Sequence, residues 1–105
     1  MTRDSIRGSS DRSVLILTSL ADSPKHGYAL VKDIEDFAGV KLGAGTLYGA
    51  LAALEKAGLV AALPEQDRRR PYQITPAGRE QLRERLSEAA RIAAIGLGRI
   101  AAAPS

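Results

Sequence analysis

Residues 45–60 read GTLYGALAALEKAGLV, and no other stretch constrains the fold as tightly. Leu47, Leu51 and Leu54 fall at i, i+4 and i+7, which puts them on one face of a helix over residues 46–57. Gly58 is a stop signal, because glycine adopts the left-handed conformation that ends helices. LVAAL at 59–63 reads as a strand, with Leu59, Ala61 and Leu63 on one side. PYQIT at 71–75 is its natural partner: Tyr72 and Ile74 repeat at period two, and Pro71 is tolerated where a strand begins. PEQDRRR between them is a polar turn. The segment 59–75 therefore predicts a two-stranded hairpin with a basic tip, directly after a helix.

Upstream, Val14, Leu17 and Leu20, with Leu15 and Ile16 beside them, predict a first helix over 11–21. DSPKHG at 22–27 is a turn punctuated by Pro24 and Gly27. A second helix over 28–38 carries the stripe Leu30, Ile34 and Phe37, with Val31 and Ala38 adjacent, and ends at Gly39. VKLGAG is a short connector to the third helix. Downstream, Thr75-Pro76 is a cap followed by a good first helical residue, opening a helix from 76 to about 102. Leu82, Leu86, Ala89, Ala93, Gly96 and Ile100 recur at spacings of four and three, the seam of a coiled coil.

The predicted fold is mainly α with a two-stranded β-hairpin wing: a winged helix-turn-helix plus a C-terminal dimerisation helix. It divides into a flexible N-terminal segment (1–10), the winged domain (11–75) and the dimerisation helix (76–105). The dimer seam is assigned to Leu82, Leu86, Ala89, Ala93 and Ile100.

Function follows from what the apolar stripes do not use. In a helix-turn-helix the N-terminal part of the second helix enters the major groove. Thr46, Tyr48 and Gly49 occupy that part, beside the stripe. Two readings of Tyr48 stand: its hydroxyl faces DNA, or its ring packs on the second helix. Arg68, Arg69 and Arg70 sit at the wing tip, where each neutralised phosphate adds affinity. A solvated loop is the competing reading. Lys25 and Lys41 flank the second helix and are candidates to hold the DNA backbone.

Other chemistry is disfavoured. The chain has 105 residues, a net charge of +3, no cysteine and one histidine. Disulfides and thiolate metal sites are excluded, and no metal or cofactor is expected. His26 has no nucleophile or paired carboxylate near it in sequence, so it is assigned to closing the turn into the second helix. No apolar run approaches the ~20 residues of a membrane span, and the first residues lack a signal-peptide core. A cytoplasmic protein without catalytic residues is expected.

HGYALVKDIE, GTLYGALAALEKAGLV and RRRPYQITPAGRE, in this order and spacing, resemble the PadR family of bacterial transcriptional regulators across about residues 13–83. The resemblance implies a homodimeric repressor that binds a roughly palindromic operator on double-stranded DNA and is released by a small-molecule effector. It implies that Tyr28, Thr46, Tyr48 and the wing arginines contact DNA, and that the C-terminal helix forms the dimer. Ala44, Ala52, Ala53, Pro71 and Gln73 depart from the family pattern and thin out its basic contacts. Some small relatives hold flat aromatic ligands with tryptophan, which this chain lacks. Two other functions fit the same pattern: a winged helix that binds protein, and a ligand-binding dimer.

Overall fold

The computed structural model describes the backbone of residues 3–104 and the side chains of 12–104. Among the described residues the chain runs α1 (Arg3–Leu20), β1 (Lys25–His26), α2 (Gly27–Ala38), α3 (Ala44–Lys56), β2 (Val60–Ala62), β3 (Pro71–Ile74) and α4 (Pro76–Ala102). The first helix thus begins at Arg3, eight residues before the expected start. The flexible segment expected over 1–10 falls on residues whose side chains lie outside the described part.

The three N-terminal helices close one core. Ile16, Leu17 and Leu20 of α1 meet Leu30 and Ile34 of α2 and Leu47, Leu51 and Leu54 of α3. Each fully buried aliphatic side chain contributes about 1.5–3 kcal/mol over its exposed state. Phe37, expected in the α2 stripe, is 47% exposed instead. Residues 35–41 are all exposed, so the last turn of α2 stands clear of the core until Leu42 re-enters it. Ser19 is buried and donates to Asp33 Oδ2 at 2.6 Å, a polar clasp between α1 and α2.

Both predicted glycine stops act as stops. Gly39 (φ 69°) donates its N–H to Glu35 O at 2.9 Å. After α3, Gly58 (φ 80°) turns the chain, and Leu59 N–H reaches back to Leu54 O at 2.9 Å. That turn sets the face of the wing. Val60, not Ala61 or Leu63, points into the core opposite its partner Ile74, while Leu59 is buried from the turn itself. The inward face of β2 is therefore shifted by one residue from the expected alternation.

The sheet has three strands, in the order β1-β3-β2 and antiparallel throughout, rather than two. The added strand is Lys25–His26, paired with Tyr72 and Pro71. It ties the start of α2 to the wing.

α4 continues from β3 through one residue. Thr75 donates its N–H to Leu59 O at 3.0 Å and its hydroxyl to Gly58 O at 2.7 Å. The same Oγ1 accepts from Gly78 N at 3.0 Å, capping the helix. Only Gly78 and Leu82 of α4 are buried. Beyond them the helix projects, and the molecule measures 58 × 28 × 26 Å.

Candidate nucleic-acid interface

The connector 39–43 delivers α3 with its leucines inward and Thr46, Tyr48, Gly49, Ala52 and Ala53 outward. Tyr48 takes the packed position on α2. Its ring lies over Gly27, the first residue of α2: a Cβ there would touch the Tyr48 hydroxyl and stand 2.7 Å from Cζ. The side chain nonetheless stays 49% exposed. Gly27 is thus a close-approach glycine that lets the end of the tyrosine, hydroxyl included, pack against the start of α2 and tie it to α3. Tyr28, one residue on, is 68% exposed. With Val31, Leu42, Ala44 and Leu47, the two tyrosines line a shallow pocket between the two helices.

The basic residues are not equivalent. Lys25, expected at the DNA backbone, is committed elsewhere. Its side chain is only 15% exposed and pairs with Asp22 at 2.7 Å. It also donates to the Ser19 carbonyl. The Asp22 carboxyl is held below its ordinary range, first by the Lys25 hydrogen bond and then by the Lys25 charge. Lys25 is therefore the clasp that closes the turn between α1 and β1. Lys41 is well exposed and lies 3.9 Å from Glu35, a surface pair of little energetic weight.

The wing tip is a two-residue turn. Gln66 and Arg69 exchange backbone hydrogen bonds at 2.7 and 2.8 Å, with Asp67 (φ 50°) and Arg68 (φ 65°) between them. Positive φ at both central residues is the type I′ geometry that matches strand twist. Pairing steps from Ala62↔Tyr72 to Gln66↔Arg69, four residues on one arm and three on the other. The extra residue interrupts the ladder beyond Leu63, and Arg70 Nη1 occupies the Leu63 carbonyl at 2.9 Å. Arg69 Nη1 lies 3.2 Å from His26 Nε2. Among the described residues Arg68 alone of the three has no hydrogen-bond or ion-pair partner. His26 itself caps α2, its Nδ1 accepting from Ala29 N at 3.4 Å, which agrees with its assignment to that turn. The His26–Arg69 contact had no sequence signal, since 43 residues separate its partners.

The expected dimer seam divides. Leu82 is 6% exposed and belongs to the domain core, so it is not free to meet a second copy. Its neighbours in space are elements that precede it in the chain, which spacing along α4 does not reveal. Leu86, Ala89, Ala93 and Ile100 are exposed. Ile92, Ile95 and Leu97, outside the predicted set, are exposed as well. At 100° per residue, Ile92 and Ile95 lie well off the Leu86–Ala93–Ile100 line, so the apolar surface is wider than a two-helix seam. Among the described residues no three His, Cys, Asp or Glu gather as a metal site, and no helix is long and apolar enough to cross a membrane.

Residues 16–84 match the model of the transcriptional regulator PadR-like family. The chain belongs to that family. Proteins of this family are regulators of transcription. Over 82 residues the chain is 50% identical to an uncharacterised 37.1 kDa protein in transposon TN4556 of Streptomyces fradiae. That match covers 78% of this chain but 24% of the relative, so the chain spans about a quarter of that protein's length. Solved structures agree in fold. A transcriptional regulator from Clostridium thermocellum is 28% identical with a TM-score of 0.73, covering 90% of this chain and 93% of the other. A PadR family regulator from Eggerthella lenta is 29% identical with a TM-score of 0.68, covering 96% and 93%. This PadR-like chain is a winged helix-turn-helix, mainly helical, with a small antiparallel sheet.

Proposed function

We propose that the protein is a dimeric repressor that reads a roughly palindromic operator and leaves it when an effector binds. α3 enters the major groove with Thr46, Tyr48 and Gly49 foremost. Tyr28 and Lys41 lie along the backbone, and the wing carries Arg68 to the adjacent phosphates. α4 joins two copies through Leu86, Ala89, Ala93 and Ile100, with Ile92, Ile95 and Leu97 widening the contact. The protein acts in the cytoplasm, where the operator is. The observation that carries this reading is the outward set on α3: a threonine, a tyrosine and small residues stay exposed while every leucine of that helix is spent in the core.

The test is fluorescence anisotropy on DNA from upstream of its own gene, with scrambled competitor, at two salt concentrations. Binding that outlasts competitor is expected. Arg68→Ala should lower the slope of log affinity against log salt by about 0.9, the value of one phosphate contact. Binding that vanishes equally on both duplexes as salt rises would refute sequence-specific repression. It would favour a winged helix that binds protein, a reading supported by Lys56 being the one basic residue of α3.

A further inference from the structure

A cleft of about 420 Å³ lies between the end of β1 and the wing, lined by His26, Gln66, Asp67, Arg69 and Pro71. Backbone pairing holds its walls in place. His26 pairs with Pro71, and Arg69 exchanges both of its backbone hydrogen bonds with Gln66. Two contacts converge on the imidazole. Nδ1 faces Ala29 N–H at 3.4 Å, and Nε2 faces the Arg69 guanidinium at 3.2 Å.

Both neighbours are donors. A neutral imidazole has one acceptor nitrogen and one N–H, and a guanidinium only donates. The Ala29 amide is in the first turn of α2, where no helical carbonyl is available to it. When Nδ1 serves that amide, the ring proton sits on Nε2. Nε2–H and the Arg69 N–H then point into the same space with no acceptor between them. An imidazolium makes matters worse, with N–H at both positions and a second positive charge. An anionic oxygen in the cleft completes the arrangement, accepting from both.

We propose that this cleft is a seat for a phosphodiester of the DNA backbone, with His26 Nε2–H and Arg69 sharing one non-bridging oxygen. The inference rests on the reading that the protein binds DNA, and adds to it a neutral contact from the residue that also caps α2. A phosphate contact carries no sequence information; it fixes the register of the wing against the duplex. Asp67 is the opposing group in the same cleft, and its carboxylate weakens the seat.

The chain has one histidine, so long-range 1H–15N spectra report its ring without ambiguity. In the full chain the Nε2–H tautomer is expected, with its Nε2–H resonance shifted by duplex. An Nδ1–H tautomer would mean that Nε2 accepts from Arg69 and that no ligand is needed, which overturns the seat. A shift given by inorganic phosphate and not by duplex would overturn the assignment to DNA. His26→Asn keeps a good capping oxygen and removes Nε2–H. It should weaken binding roughly threefold to tenfold on cognate and scrambled duplex alike, the worth of one hydrogen bond. The salt slope should not change, because no charge is lost. Arg69→Ala should lower that slope by about 0.9. Asp67→Asn should strengthen binding. Unchanged affinity in His26→Asn overturns the seat alone; a wild-type protein that binds no duplex overturns the DNA reading as well.

Discussion

Gly78→Ala puts the joint between wing and helix to the test. Gly78 is the third residue of α4. A Cβ at that position meets the Leu59 carbonyl oxygen, well inside van der Waals contact. It also stands 2.8 Å from Ile74 Cγ1 and 3.1 Å from the Leu59 carbonyl carbon. The carbonyl cannot retreat freely, because it accepts the Thr75 N–H at 3.0 Å. Helix propensity alone favours alanine by about 1 kcal/mol. Against this, overpacking costs about 1–3 kcal/mol, here at its upper end because backbone must move. Displacing Leu59 forfeits a further ~1 kcal/mol of hydrogen bond. The balance is a loss of about 3 kcal/mol, a large share of the ~5–15 kcal/mol available to a small domain. A loss of that size lowers Tm by roughly 12–24 °C in a chain of this length. Gly49→Ala is the control, since a Cβ there meets nothing within 4 Å. It should gain about 0.5–1 kcal/mol. Urea denaturation followed by far-UV circular dichroism, at one protein concentration, compares the two. A Gly78→Ala protein as stable as Gly49→Ala would refute the packing argument.

Other perturbations separate roles that look alike in sequence. Leu82→Ala should cost about 2–5 kcal/mol of folding stability. Ile100→Asp, at a residue 75% exposed, should leave the domain folded and shift light scattering from dimer to monomer. Gly27→Ala meets the far end of the Tyr48 side chain. The ring can swing into solvent, so the urea midpoint should fall far less than for Gly78→Ala while DNA affinity drops. Arg68→Gly relieves a left-handed arginine, worth about 1–2 kcal/mol, against about 0.5–1 kcal/mol of added chain entropy, so stability should rise slightly while DNA binding weakens. Asp22 has a folded-state pKa below its ordinary 3.8. Its contribution is therefore present above pH 3.8 and lost as pH falls through the lower folded value. Urea midpoints of wild type and Asp22→Asn should differ at neutral pH and converge in acid.

What could be read from the sequence was what local physics decides. The α3 stripe, the stops at Gly39 and Gly58 and the Thr75 cap each depend on neighbours within a few residues, and each is where it was expected. What could not be read depends on distant partners. β1 is two residues long, too short for any periodicity, and exists because Tyr72 and Pro71 pair with it. Leu82 continues the α4 repeat yet is consumed by the core. Lys25 looks like any basic residue beside a helix until Asp22 and Ser19 claim it. Of the three wing arginines, spacing gives their place at the tip but not that Arg70 ties back to the Leu63 carbonyl or that Arg69 is set against His26.

The single-residue joint at Thr75 has a mechanical consequence. β3 ends at Ile74 and α4 begins at Pro76, so the coupling between wing and rod has no slack. The rod is about 40 Å long at 1.5 Å per residue, and a tilt of roughly 10° at its root sweeps the far end through about 7 Å. In reverse it works as a reducing gear: a displacement of several ångströms at the free end of α4 arrives at the hairpin as a rotation of a few degrees. A tilt of α4 at its root either breaks the hydrogen bonds from Thr75 to Gly58 and Leu59 and disturbs the packing of Leu82, or carries the wing with it.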